Sequence, residues 1–301
     1  MKKAVILILT LITSLTIYSK ESITILAPKA PPTIPLMKVV ENIENVQVEF
    51  YTDVITEVIP KIVKNEDYLY IMPTNVGAKM FNRGIDFQLI GVTSLGILTI
   101  LSREVNDFQD LQGKKLYIGA QGSSPDVISR YLLEKRGVEP EIIYSTSQEI
   151  VRLLISKRIN SAVLPEPLSS LVLFQTEDVK QVENLTGLWK EINATRGIPQ
   201  VGIFGKRLLI ENNDKIIEQL ITEYEKAVKW SNESKEIGAF GRAKLDFPMP
   251  PNVIQNAVKN MNLVFYRGED SRKEIEDYFS SLMELDKTAI GGKLPNERFY
   301  Y

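Results

Sequence analysis

The chain has 301 residues, of which 44% are hydrophobic and 25% charged, a composition typical of globular proteins with one large or two medium cores. Its 36 basic and 38 acidic residues leave a formal net charge of −2 and form no basic stripe, so we expect no nucleic acid partner. The chain contains no Cys and no His. This excludes thiolate nucleophiles, disulfides and histidine bases, and we predict no catalytic residues, no metal site and no cofactor. An enzyme that works through carboxylates, lysine or tyrosine stays open.

The N-terminus has the pattern of an export signal. Lys2 and Lys3 form a positive region, and the apolar stretch 4–17 is shorter than the roughly 20 residues needed to span a bilayer. Small and polar residues ending at Ser19 make a cleavage site. We therefore predict a cleaved signal peptide over residues 1–19 and a periplasmic mature chain, which without Cys is not a Cys-linked lipoprotein. An uncleaved N-terminal anchor is the alternative.

The first part of the mature chain alternates between strand and helix patterns. The apolar periodicity predicts strands over 22–27, 46–51 and 68–72, and helices over 34–40, 55–63 and 76–81. Thr52 and Asp53 are suited to cap the second of these helices. Such alternation predicts a mostly parallel sheet with crossover helices.

The long, almost uncharged run 87–102 interrupts this alternation, and its two glycines favour either a buried hairpin or a strand that leaves one sheet for another. A second α/β unit follows, with predicted strands over 116–120, 141–144 and 161–164 and helices over 125–135, 147–157 and 168–174. Residues 201–204 form another apolar strand, and from residue 206 onward the pattern is almost wholly helical.

Two crossings, near residues 92–100 and 197–204, separate the middle unit from an outer unit made of both chain ends. We therefore predict an α/β protein with two lobes, each a mixed, mostly parallel sheet flanked by helices, joined by two hinge crossings. Lobe 1 is discontinuous, over residues 20–96 and 202–301, and lobe 2 spans residues 97–201.

Four predicted strands end in small, polar or proline-rich loops, at 31–33, 73–75, 121–124 and 165–167. Ligands of open α/β sheets bind beyond the carboxyl ends of the strands, so these loops predict a cleft between the lobes. With one residue from each crossing, the candidate ligand-binding residues are Pro32, Thr33, Thr74, Asn75, Ser94, Gly122, Ser123, Ser124, Glu166 and Gln200.

Each of these loops also has a structural interpretation. Ser124 at the cap and Pro125 at the first helical position could present free backbone N–H groups to an anion, or simply begin a well-capped helix. Glu166, held between two prolines, could accept a hydrogen bond from a ligand or cap the helix behind it. Thr74 and Asn75 could donate to a ligand or cap their own helix.

The order of several short motifs resembles the type II periplasmic binding proteins. Residues 110–119 (DLQGKKLYIG) are similar to the start of their second lobe, and residues 122–124 and 131–133 continue that pattern. Residues 161–167 (SAVLPEP) resemble a segment of the branch that serves nitrate, sulfonates and thiamine precursors (SsuA-like), although Asn160-Ser161 stands where that branch often has Asp-Ala. Residues 290–295 (IGGKLP) and 299–301 (FYY) in the tail are also similar to the end of these proteins.

The resemblance implies the substrate-binding component of an ABC importer, which closes on a small organic molecule and delivers it to a membrane permease. In this family an oxyanion sits on backbone N–H groups that map to Ser123 and Ser124. The four loops contain no Arg or Lys, and only Lys29 lies next to the first of them, which favours a neutral or weakly anionic ligand such as a sulfonate, a pyrimidine or an aromatic or heterocyclic compound. We expect a monomer. An enzyme on the same scaffold, similar to a dehydratase or a pyrimidine synthase, and an exported sensor domain are the alternatives.

Overall fold

The strands of the protein belong to two separate sheets. A computed structural model describes residues 22–301, so the predicted signal peptide lies outside the described residues. The described strands are β1 Ile23–Pro28, β2 Val46–Tyr51, β3 Tyr68–Pro73, β4 Phe87–Ser94, β5 Leu98–Ser102, β6 Lys115–Ile118, β7 Glu141–Tyr144, β8 Ser161–Pro165, β9 Lys180–Asn184, β10 Val201–Lys206 and β11 Leu263–Arg267.

The α-helices alternate with these strands in the first two thirds of the chain and dominate the last third. They are α1 Ile34–Val39, α2 Ile59–Val63, α3 Thr74–Asn82, α4 Ser124–Arg136, α5 Ser147–Ile155, α6 Leu168–Gln175, α7 Leu185–Asn193, α8 Arg207–Asn212, α9 Asp214–Glu233, α10 Ile237–Leu245, α11 Pro251–Asn260 and α12 Arg272–Leu285. No helix of residues 22–301 is both long and apolar enough to cross a membrane.

The strands form two mixed sheets, each at the centre of one lobe. The first has the order β11-β4-β10-β3-β1-β2 and the second β7-β6-β8-β5-β9. In the first, β1 pairs in parallel with β2 and β3; in the second, β6 pairs in parallel with β7 and β8. The remaining pairs are antiparallel. The two-lobe α/β prediction is confirmed, but "mostly parallel" is wrong, because β5, β9, β10 and β11 all pair antiparallel.

Local sequence explains how the helical segment after β2 begins. The Asp53 carboxylate accepts a hydrogen bond from Thr56 N at 2.8 Å, which caps a π-helical turn over Val54–Val58. Helix α2 continues from it, and Pro60 lies in its first turn, where a missing N–H costs little. The predicted cap and helix are therefore confirmed, with one wider turn at the start.

Three elements were not predicted: β9, α7 and β11. Strand β9 is polar (KQVEN) and has no strong strand pattern, whereas β11 (LVFYR) is rich in strand-forming residues but was hidden by the helical stretch before it. Both lie at sheet edges, where one neighbouring strand is sufficient to hold them. The prediction that the chain is helical from residue 206 onward is wrong at β11.

The apolar run 87–102 divides between the lobes. Its first half is β4 of the first sheet and its second half is β5 of the second, and the return crossing is the segment 194–200. Ile198 N donates to Leu95 O at 3.1 Å, so the two crossings lie side by side. Gly96 has φ +117°, and a Cβ atom there would lie 1.9 Å from Thr186 Oγ1, so only glycine fits.

One apolar core extends across both lobes. Helix α12 belongs to the C-terminal part of the chain, yet its buried residues pack with those of α4 and α7 from the second lobe. The Trp189 ring lies 5.1 Å from the ring of Tyr131 and 5.9 Å from that of Tyr278 in α12. The lobes therefore share packing in addition to the two crossings. The predicted boundaries, 20–96 with 202–301 and 97–201, stay a prediction.

Candidate functional site

A cavity of about 460 Å³ lies between the start of α3 in the first lobe and the loop before α4 in the second. Strands β3 and β6 both end at this cavity, as expected for the carboxyl ends of strands in open sheets. Its wall consists of Val54, Ile55, Ile59, Pro73, Asn75, Val76, Lys79, Met80, Arg83, Gly122, Ser123, Ser124, Asp286, Thr288 and Ala289.

Four of the ten predicted binding residues line this cavity: Asn75, Gly122, Ser123 and Ser124. The cap of α4 is Ser123, one residue earlier than predicted, because Ser124 already has helical geometry. Ser123 makes no side-chain capping bond, and its Oγ has no hydrogen-bond partner within residues 22–301. The cap prediction for Ser124 is therefore corrected; the unpartnered Ser123 Oγ is buried, although the residue lines the cavity.

Three other predicted residues are buried and do not line the cavity. Thr33 donates through Oγ1 to Pro28 O at 2.6 Å, and Pro32 is buried beside it in a short 3₁₀ turn. Thr74 donates through Oγ1 to Pro199 O at 2.6 Å, so it ties the start of α3 to the return crossing. These hydroxyls have protein partners, and a role for them in ligand binding stays a prediction.

Ser94 and Gln200 lie at the crossings rather than on the cavity wall. Ser94 Oγ donates to Met261 O at 2.7 Å. The Gln200 side chain accepts a hydrogen bond from Ile97 N at 2.8 Å and donates to Ser124 Oγ at 3.0 Å. Gln200 therefore connects the crossings to the loop that lines the cavity, and a direct ligand contact for either residue stays a prediction.

Glu166 lies in a separate interlobe contact. Its side chain is buried and accepts from Ser170 N at 3.2 Å and Ser170 Oγ at 3.1 Å, in the first turn of α6. Asn260 Nδ2 of α11, from the other lobe, donates to Glu166 Oε1 at 2.9 Å. Burial raises the pKa of Glu166 above its usual value, against the lowering effect of these donors. The arrangement matches the helix-capping interpretation, while ligand contact stays a prediction.

A buried ionic network holds the loop before α4 in place. The Asp126 carboxylate accepts from Gly122 N at 2.8 Å and from Tyr144 Oη at 2.9 Å. Arg130, one turn along α4, donates to both of its oxygens, at 2.8 and 3.0 Å. Asp126 also raises the pKa of Arg130, chiefly through this hydrogen bonding. The network fixes the backbone that presents Gly122 and Ser123 to the cavity.

Sequence reasoning missed the charged part of the cavity wall. Lys79 and Arg83 line it from α3, and Asp286 and Thr288 line it from the C-terminal segment. Lys79 and Arg83 follow the predicted residue Asn75 at steps of four, which places all three on one helix face, so helical spacing could have revealed them. Asp286 and Thr288 are about two hundred residues away in sequence, and no local signal marks them. Within residues 22–301 no group of acidic side chains is arranged to hold a metal ion.

A family model described as a protein of unknown function, DUF3834, matches residues 23–188, more than half of the chain. The chain belongs to this DUF3834 family. The match includes β1 to α7 up to Leu188, and thus both walls of the cavity that α3 and the loop before α4 provide. No curated protein matches the chain.

Several solved structures with the same architecture are named as transport proteins. This DUF3834 chain is similar to an ABC transporter structure from Parabacteroides distasonis, with a TM-score of 0.80 and 21% identity over 93% of this chain and 98% of that chain. It is similar to the periplasmic aliphatic sulphonate binding protein SsuA from Escherichia coli, with a TM-score of 0.74 and 15% identity over 93% and 92% of the two chains. The periplasmic nitrate-binding protein NrtA from Synechocystis gives a TM-score of 0.64 and 14% identity over 89% and 84%. The fold is therefore that of type II periplasmic binding proteins.

Proposed function

We propose that the protein is the extracytoplasmic substrate-binding component of an ABC importer. It captures a small organic molecule between its two lobes and delivers the molecule to a membrane permease. The observation that carries this proposal is the cavity between the loops of the two lobes, beside two crossing segments that lie side by side. A ligand that contacts both walls favours the state in which the lobes are closest, and it thereby shifts the equilibrium toward closure.

The size and lining of the cavity fit a small molecule with an apolar part. Cavities of roughly 300–1,000 Å³ are typical of small-molecule sites, and this one has about 460 Å³. Aliphatic side chains form much of its wall, while hydroxyl and amide groups come from Ser123, Ser124 and Asn75. The similar proteins named for sulphonate and nitrate support a transport role, and we extend it to this chain as a proposal.

We further propose that the chain is exported with cleavage after Ser19 and acts as a monomer in the periplasm, without catalysing a reaction. The absence of His removes the most common general base, and the solved structures of similar fold are transport proteins. An enzyme on the same scaffold would be revealed by turnover of any bound compound by the purified chain, and such turnover would overturn the non-catalytic role.

Closure can be tested with the chain that lacks residues 1–19. A thermal-shift screen over sulfonates, nitrate, pyrimidines and aromatic acids identifies compounds that bind, and small-angle scattering then measures the radius of gyration with each of them. We expect at least one compound to raise the melting temperature and to reduce the radius. Saturating ligand with an unchanged radius would contradict closure, and a screen without any shift would contradict capture.

A pair of matched variants locates the binding site. Ile55 lines the cavity with 72% of its side chain exposed, and Leu208 is 68% exposed on another surface of the first lobe. Because both positions face solvent, neither Ile55→Glu nor Leu208→Glu should disturb the fold. We expect Ile55→Glu to abolish the thermal shift by an anionic compound, while Leu208→Glu keeps it. Equal shifts in both variants would place the ligand elsewhere.

A further inference from the structure

The N-terminus of α4 carries a negative charge of its own. Asp126 in the first turn is fully buried, and its Oδ2 accepts the N–H of Gly122 at 2.8 Å. This carboxylate occupies the N–H of Gly122, which is then not free to bind a ligand, and its own charge is paired with Arg130. Pro125, the residue before it, has no backbone N–H to offer. The loop therefore has few backbone N–H groups free for an anion, and the two side chains that it contributes to the cavity wall, Ser123 and Ser124, are neutral.

The opposite wall of the cavity carries the cations. Lys79 lies on α3, Arg83 directly follows the last residue of that helix one turn later, and both line the cavity. Neither forms a salt bridge with any residue in the part of the chain that the structure describes, although many other surface cations do. Two flexible basic side chains on one helix face can therefore turn toward a bound anion without first breaking an ion pair.

Asp286 is the only acidic residue among the described residues that line the cavity. Its Oδ1 accepts hydrogen bonds from Thr288 N at 2.8 Å and Thr288 Oγ1 at 2.7 Å, which hold the carboxylate at the start of a short 3₁₀ helix. Two cations and one carboxylate together give this wall a net positive charge. The apolar side chains Val54, Ile55, Ile59, Val76 and Met80 also line the cavity from the first lobe.

From this arrangement we infer that Lys79 and Arg83 bind the anionic group of the ligand from the first lobe, and that the α4 loop supplies only neutral hydrogen bonds. The ligand is then a monoanion with an apolar body, whose charge faces α3. This inference rests on the proposed capture function, and it departs from the expectation that an oxyanion sits on the backbone of Ser123 and Ser124.

The test uses calorimetric titration to compare two ligands whose alkyl chains differ by one methylene. Hexanesulfonate carries one negative charge and hexanamide carries none, so their affinities separate charge recognition from apolar burial. We expect the wild-type chain to bind hexanesulfonate at least about tenfold more tightly. Lys79→Met and Arg83→Met keep the aliphatic length and remove the charge, and each should weaken hexanesulfonate about tenfold, as loss of one charge-assisted hydrogen bond predicts. Hexanamide should change less than about twofold in both variants.

Lys287→Met is the matched control, because it causes the same change in net charge at an exposed position that does not line the cavity. It should leave hexanesulfonate affinity within about twofold of wild type. Equal weakening in Lys287→Met, unchanged affinity in both cavity variants, or equal wild-type affinity for the two ligands would each overturn the inference. If instead a neutral compound alone closes the lobes, capture stands and the anion assignment fails; if no compound closes them, the proposed function itself fails.

Discussion

Asp126 offers a direct test of how the loop at the cavity is held. Its fully buried carboxylate accepts four hydrogen bonds, from Gly122, Tyr144 and twice from Arg130. Asp126→Asn keeps the shape but removes the charge and one acceptor oxygen. Breaking a buried ion pair costs about 3–5 kcal/mol, and because the Arg130 side chain is 30% exposed and can regain water, we expect a loss of about 2–3 kcal/mol. The melting temperature should fall by roughly 5–10 °C.

A double-mutant cycle isolates the pair. Urea unfolding of Asp126→Asn, Arg130→Met and the double variant, followed by circular dichroism, gives the coupling energy between the two side chains. We expect about 1.5–2.5 kcal/mol, since Arg130→Met alone leaves a buried carboxylate without its cation. A coupling below about 0.5 kcal/mol would refute the view that the ion pair, rather than packing alone, holds the loop.

Gly96→Ala should destabilise the chain by at least about 2 kcal/mol in urea unfolding, because its Cβ would collide with Thr186, whereas Gly113→Ala, also at positive φ but in open space, should cost only about 1 kcal/mol. The unfolding free energy of the wild-type chain, measured relative to that of Glu166→Gln, should rise as the pH falls from neutral through 4.5. Burial raises the pKa of Glu166 in the folded state, so the folded chain takes up this proton more readily than the unfolded chain. Trp189→Phe should lower the unfolding free energy by about 1–2 kcal/mol and remove a blue-shifted fluorescence component, since this buried indole packs between two tyrosine rings.

A specific result would contradict each of these three predictions. Equal losses of unfolding free energy for the two glycine variants would mean that the positive φ, rather than contact with Thr186, makes glycine necessary at position 96. A pH-independent difference for Glu166→Gln would mean that the carboxyl group has the same proton affinity in the folded and unfolded chains. A Trp189→Phe chain with unchanged stability would show that the aromatic contacts between the lobes contribute little.

Local pattern was sufficient for the architecture but not for the site. Parallel strands such as Val46–Tyr51 have alternating or continuous apolar patterns, and the uncharged run 87–102 could be recognised as a boundary because it had no helical counterpart nearby. The cavity is different, since its walls come from distant parts of the chain. Asn75 lies just after a strand and is therefore predictable from the sequence, whereas Lys79 and Arg83 lie further along the chain, where no loop or strand end marks them.

The case of Glu166 shows why one sequence leaves some alternatives undecided. Its helix-capping partner Ser170 is four residues away and consistent with the sequence, but its third partner, Asn260, is 94 positions distant. The packing of α11 against the second lobe decides which group donates the third hydrogen bond to the carboxylate. The same limit applies to Thr74, whose hydroxyl binds Pro199 O across 125 positions instead of capping its own helix.

The packing of α12 on the second lobe has a consequence for how the chain is made. The strands of that lobe are all synthesised by Asn184, but Arg272–Leu285, which cover its helices α4 and α7, emerge much later. At ordinary elongation rates the delay is roughly 4–18 s. During this interval α12 does not yet cover Trp189 and its neighbours, so the nascent lobe exposes an apolar surface that favours misassembly. A chain that is exported before it folds would avoid this period of exposed apolar surface, because all of its parts would then reach the folding compartment close together in time.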